Sequence, residues 1–143
     1  MFQSTPEVNY FNLHTSGLGY LSRIRHVDVK RGDGFLACEI NALHGRSDEV
    51  EYTRFDCRVS GAEAIAQIAR CLDIVAQDAN AKMLLGFCLG DLYSETFVYK
   101  QGERQGQTGV CLKARLIRVD WLKVNGEMIY KAEKPIASAL SQP

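Results

Sequence analysis

Tyr52, Arg54 and Arg58 stand at even-numbered positions of the segment 50–60. In an extended strand, side chains two apart share a face, so these three lie side by side. Rings next to guanidinium groups suit a specific chemistry. A guanidinium holds a phosphate and also stacks, and a ring offers an unpaired base a flat apolar surface. Stacking of that kind contributes about 1–3 kcal/mol per base and tolerates any sequence. Residues of the same types recur along the chain. Arg23, Arg25, Lys30 and Arg31 belong to a first strand and its turn, and Phe35 to the non-core face of a second strand. Lys113 and Arg115 project from a fifth strand, and Tyr93, Phe97 and Lys100 belong to a long arm before it. All of these, with Tyr52, Arg54 and Arg58, form the candidate DNA-binding set. Further along lie Arg118, Trp121 and Lys123. For Tyr99 and Trp121 a core or oligomer-contact role fits equally well. The competing reading of the whole set is a solvated sheet face laced with cross-strand pairs such as Arg–Asp.

Other chemistries find little support. His14, His26 and His44 stand in no nucleophile-elbow or zinc-protease context. The acidic run Asp48-Glu49-Val50-Glu51 lacks the ligand spacing of a calcium loop and reads as solvated. Ser16-Gly17-Leu18-Gly19 is too short for a phosphate loop and has no lysine. Cys38, Cys57, Cys71, Cys88 and Cys111 form no Cys-x-x-Cys pair and have no histidine at zinc spacing. They read as reduced, mostly buried small hydrophobes. No catalytic residue, metal ligand or cofactor is therefore expected, and the chain does not read as an enzyme.

The elements that must position the basic and aromatic residues follow from pattern. A first strand spans about Gly19–Lys30. Leu21, Ile24, Val27 and Val29 cannot all face one side of a flat strand, so a bulge or strong bend is expected within it. Arg31-Gly32-Asp33-Gly34 is a turn. The second strand, Phe35–Leu43, sends Leu36, Cys38, Ile40 and Ala42 inward and Phe35, Ala37, Glu39 and Asn41 outward. His44–Glu49 reads as a polar loop. In the third strand, Val50–Ser60, Thr53, Phe55, Cys57 and Val59 face the core. Ile65, Ile68, Leu72 and Val75 form one stripe of a helix over about Ala62–Asp78. Ser60 with Glu63 makes a capping-box pattern at its start, and Asn80 is a plausible stop. Lys82–Leu89 is a fourth strand interrupted by Gly86 and Gly90, extended by Tyr93–Lys100 to the turn Gln101–Gly109. The fifth strand, Val110–Lys123, is followed by an Asn125-Gly126 hairpin that returns through Met128–Tyr130. Three strands, a helix, then two long strands and a hairpin predict an all-β fold with one helix. The expected architecture is a five-stranded OB-fold Greek-key barrel, with the helix between strands 3 and 4 and an extra C-terminal hairpin. Residues 1–12 and 133–143 read as tails around a single domain at 13–132.

Composition bounds the reading. The chain has 143 residues, 46% hydrophobic, and its 17 basic side chains balance 17 acidic ones. One domain with a real core follows, and wholesale disorder is excluded. No apolar run approaches the ~20 residues of a bilayer-crossing helix. No secretory signal opens the chain, so a cytoplasmic protein without membrane association is expected. Zero net charge argues against a strong non-specific polyanion binder, and leaves open one whose cations gather on one face.

The segment Glu51-Tyr52-Thr53-Arg54-Phe55 through Val59-Ser60-Gly61-Ala62-Glu63 resembles the bacterial single-stranded DNA-binding proteins, which carry Glu-Trp-x-Arg-Val and an Ala-Glu at the same spacing. By that match Tyr52 takes the place of a base-stacking tryptophan and Arg54 that of its neighbouring arginine, while Tyr93 or Phe97 stands for the arm's aromatic. A closer resemblance covers nearly the whole chain. Phe11-Asn12-Leu13-His14-Thr15, Phe35-Leu36-Ala37-Cys38, Leu89-Gly90-Asp91-Leu92 and Gly106-Gln107-Thr108-Gly109-Val110 are similar to a family of small replication proteins of bacterial integrating conjugative elements. The resemblance implies non-catalytic binding of single-stranded DNA during replication or transfer of such an element. It also implies a homo-oligomer, dimer or tetramer, an expectation that open edge strands support. The alternative is a protein–protein adaptor gripping element-encoded replication or conjugation proteins with the same face. The final residues, Ala137 to Pro143, lack the acidic partner-recruiting tip of the housekeeping proteins, so recruitment through such a tip is not expected.

Overall fold

The computed structural model describes residues 10–133. Most of the stretches read above as tails lie outside the described residues. The elements run β1 His14–Val27, β2 Phe35–Arg46, β3 Glu49–Val59, α1 Ala62–Gln77, β4 Met83–Val98, β5 Thr108–Val124 and β6 Glu127–Lys131. Neighbouring strands are ordered β3-β2-β1-β4-β5-β6, and β3 also pairs with β5. That last pairing is parallel, Phe55 beside Leu112 through Val59 beside Leu116, and it closes β1–β5 into a barrel. All the other pairings are antiparallel. This is the five-stranded OB-fold Greek-key barrel, with one helix between the third and fourth strands and an extra strand on β5.

The broken alternation of β1 has the expected cause. Its register with β2 shifts between Ser22 and Arg25, and Arg23 takes a positive φ of 46°. The extra residue lets Leu21 and Ile24 both turn toward the core. β1 begins earlier and ends earlier than predicted, leaving Val29 exposed past its end. Gly19 sits where β2 crowds β1: a Cβ there would meet the Asn41 carbonyl oxygen at 2.5 Å.

Five other expectations are corrected. His44–Glu49 is no loop: β2 and β3 pair out to Arg46 beside Glu49, and the His44 ring bonds Thr53 Oγ1 at 2.8 Å. Gly86 does not interrupt β4. It stands opposite Trp121, whose indole occupies the space a side chain would need. The Ser60–Glu63 capping box does not form. The helix N-cap is Gly61 at φ 93°, without a side-chain bond, because Ser60 donates its N–H to the Leu116 carbonyl at 2.9 Å and so extends the β3–β5 closure. The C-cap is Asp78, not Asn80, although Asn80 donates its N–H to the Asp78 carboxylate. Finally, Ile65 is exposed, and the helix buries Ala64, Ile68 and Cys71 instead, with Leu72 and Val75 packed beside them.

The core gathers inward-facing residues from every barrel strand. Ile40, Leu85, Phe87, Leu89, Leu116 and Leu122 are fully buried, and Ile68 reaches them from the helix. Each such side chain contributes about 1.5–3 kcal/mol of burial. The cysteines are free, four of them buried and Cys111 half-buried, as their composition suggested. The Asn125-Gly126 turn has both residues at positive φ, as a type I′ hairpin requires. With its interior filled, the barrel presents the outward residues of β3 and its neighbours on a rigid surface.

Candidate nucleic-acid interface

The outward face of β3 carries Tyr52, Arg54, Asp56 and Arg58, alternating with inward Phe55, Cys57 and Val59. Two neighbours flank it. On one side β2 places Glu39 beside Asp56 and Ala37 beside Arg58. On the other, the parallel pairing sets Lys113 beside Asp56 and Arg115 beside Arg58. Beyond the bulge, β1 brings Arg25 level with Ala37. On the far side β4 brings Tyr93 level with Lys113. Five candidate residues from five strands therefore converge: Arg25, Phe35, Arg58, Tyr93 and Lys113 line one groove of about 310 Å³.

The Arg58 guanidinium lies 4.3 Å from the centre of the Phe35 ring, a cation–π stack. This pair forms one wall of the groove and also lines a second depression of about 360 Å³, which continues past His26 to Ile65 and Ala69 of the helix. Among the described residues Arg58 has no carboxylate within ion-pair distance. Tyr52 is 59% exposed and Tyr93 54%, so both rings stand open to a ligand.

Most other cations of the face are already engaged. Arg25 meets the Asp56 carboxylate at 3.0 Å, and Lys113 reaches its other oxygen at 3.6 Å. Glu39 is buried, and it takes Arg23 at 2.6 Å and Arg54 at 4.0 Å. A buried carboxylate demands such partners. Arg115 pairs with Asp91 at 2.9 Å. The cross-strand Arg–Asp reading of the sequence is thus realised on the same surface that carries the open rings. Glu39, Asp56 and Asp91 were not among the candidate residues. Their alternation with the cations was the available signal, since Glu39 and Asp56 share the outward register of β2 and β3.

The remaining candidates lie apart from the groove. Lys30 and Arg31 stand exposed in the turn after β1 and line neither depression. Phe97 is on the β4–β5 arm, edge-on to Tyr99 with ring centres 4.9 Å apart, and Lys100 is exposed near the tip. Alternation along β4 puts Phe97 on the same face as Tyr93. Trp121 is half-buried over Gly86, with the Lys123 ammonium 5.8 Å from its ring. Tyr10, Phe11 and Leu13, which the sequence reading did not single out as a site, are strongly exposed and border a depression of about 450 Å³ with Arg115.

Among the described residues no group of three or more His, Cys, Asp or Glu is placed to hold a metal ion. Among them, too, no helix is long and apolar enough to cross a membrane.

A family model described as a protein of unknown function, DUF3577, matches residues 4–137. No curated protein matches the chain. Two crystal structures of the mitochondrial single-stranded DNA binding protein Rim1 from S. cerevisiae are similar to it. One is 11% identical, covering 84% of this chain and 97% of that one, with a TM-score of 0.37. The other, a selenomethionine form, is 7% identical over 80% and 95%, with a TM-score of 0.35.

Proposed function

The chain belongs to the DUF3577 family, and we propose that it binds single-stranded DNA through the outer face of β3, without catalysis. One observation carries this reading: the open ring of Tyr93 and the Arg58 guanidinium stacked on Phe35 converge with two further cations on one groove of a closed barrel. The groove gives a nucleotide both things it needs. Tyr93 and the Phe35–Arg58 stack offer flat surfaces for bases, with Tyr52 further along the outward face of β3, while Arg58, Arg25 and Lys113 offer charge to phosphates. Lys30, Arg31, Phe97 and Lys100 extend the path past the two ends of the groove. Arg23, Arg54 and Arg115 flank it.

The finer reading follows the sequence resemblance. The protein coats single-stranded intermediates in the replication or transfer of an integrating conjugative element, in the cytoplasm, as a homo-oligomer. The ion pairing of the face favours one competing reading, a protein adaptor that exchanges those pairs with a partner's charges.

Titration of a labelled oligo-dT with salt separates the two. On single strands log K falls with log salt by about 0.7 per phosphate contacted. Tyr52→Ala and Arg54→Ala are expected to weaken binding, Tyr52→Ala by about 1–3 kcal/mol. Oligo-dT affinity untouched by either substitution overturns the site. No binding at low salt overturns the function.

A further inference from the structure

The face contains a feature that DNA binding alone does not require. Its cations alternate with carboxylates that hold them. Asp56 sits between Arg25 and Lys113, at 3.0 and 3.6 Å, one partner on each oxygen. It borders the groove itself. Asp91 holds Arg115 at 2.9 Å just beyond it. Arg58 alone among the groove's cations has no such partner among the described residues, and it is stacked on Phe35.

We infer that Asp56 and Asp91 are internal competitors for phosphate, and that they restrict the face to strands with unpaired bases. This rests on the proposed function. A phosphate arriving at Arg25, Lys113 or Arg115 must displace a carboxylate already in place. The exchange replaces one charge-assisted contact by another and leaves a carboxylate facing the strand, so a phosphate contact alone gains little. The net neutral chain adds no long-range attraction. Binding then depends on what the rings gain by stacking. Paired bases in a duplex cannot stack on them, whereas an unpaired strand can. Asp56 and Asp91 are thus specificity-determining residues, acting through the cations they occupy.

Removing the competitors pays every polyanion, and a duplex most, because its salt slope is about 0.9 per contact against about 0.7 for a single strand. Asp56→Asn is isosteric and frees two cations. Asp91→Asn changes a side chain 71% exposed, where folding is not at risk, and frees one. Glu127→Gln in the β6 hairpin changes net charge equally without freeing a face cation. The full-length protein and these variants are titrated with a labelled oligo-dT and a labelled duplex of equal length, over a range of salt.

Each freed cation is expected to tighten binding about threefold, the size of one exposed ion pair. For oligo-dT the slope steepens by about 1.4 in Asp56→Asn and about 0.7 in Asp91→Asn. Duplex affinity rises more than single-strand affinity in both, and Glu127→Gln matches the wild type. If the wild type binds oligo-dT while Asp56→Asn and Asp91→Asn bind equally or more weakly with unchanged slopes, the competitor role is overturned and the proposed function stands. If no form binds either oligonucleotide, both fall.

Discussion

Arg58 shows why residue type and setting must be read together. Its charge is not neutralised by a neighbouring carboxylate among the described residues, and its plane rests on Phe35, so it is ready both to hold a phosphate and to stack. Arg58→Ala is therefore expected to weaken oligo-dT binding by about 1–3 kcal/mol, while Arg58→Lys restores the salt slope without the full affinity. A fluorescence titration of the two variants checks this. The thiols make a second residue-scale prediction. Burial pushes Cys57 from 9.0 to about 12 and Cys71 to about 11. Burial likewise raises Cys38. In the native protein at pH 8, iodoacetamide should modify half-buried Cys111 and spare these three, as peptide mass mapping would show. The sign for stability follows. Raised thiols favour the folded state's protonated form, so their contribution is intact below pH 9 and is lost as pH climbs toward 12. Chemical denaturation at pH 8 and pH 11 should show a lower midpoint at the higher pH.

At the scale of elements, the glycines of the strands are where backbone and side chain compete for space. Gly86 leaves room for the ring of Trp121 across the β4–β5 ladder. Gly86→Ala must push that ring aside, which should cost about 1–3 kcal/mol. Trp121 is the single tryptophan of the chain, so its emission should shift along with the urea midpoint. An unchanged spectrum and midpoint would contradict the packing described. The strands themselves could be read from the chain because period-two alternation survives burial on one face, as in Phe55, Cys57 and Val59. The bulge of β1 was readable for the opposite reason, since Leu21 and Ile24 broke that period. What failed was local chemistry overruled by tertiary structure. Ser60 has the ideal cap side chain, yet its backbone is committed to β5. Ile65 fits an apolar stripe, yet the helix rolls toward Ala64 and Cys71. His44–Glu49 is polar because a hairpin tip is solvated, not because it is irregular.

For the whole molecule, closure decides what the sequence could not show. The outward alternation of β3 predicted Tyr52, Arg54 and Arg58 together. Only the parallel β3–β5 pairing and the bulge bring Lys113, Tyr93 and Arg25 to the same groove. The pairing of cations with Asp56, Glu39 and Asp91 depends on that same closure, so three carboxylates hold Arg25, Lys113, Arg23, Arg54 and Arg115, and the net-neutral chain keeps most of the face's cations engaged. Cations already held by carboxylates make affinity depend on stacking more than on charge. The most direct measurement is equilibrium binding of the intact protein to a labelled oligo-dT and to a duplex of equal length, at several salt concentrations, with Tyr52→Ala alongside. The expected result is a clear preference for the single strand, weakening with salt, and a loss of about 1–3 kcal/mol in the variant. Equal affinity for both forms, or a variant that binds as tightly as the wild type, would contradict the assignment of this face.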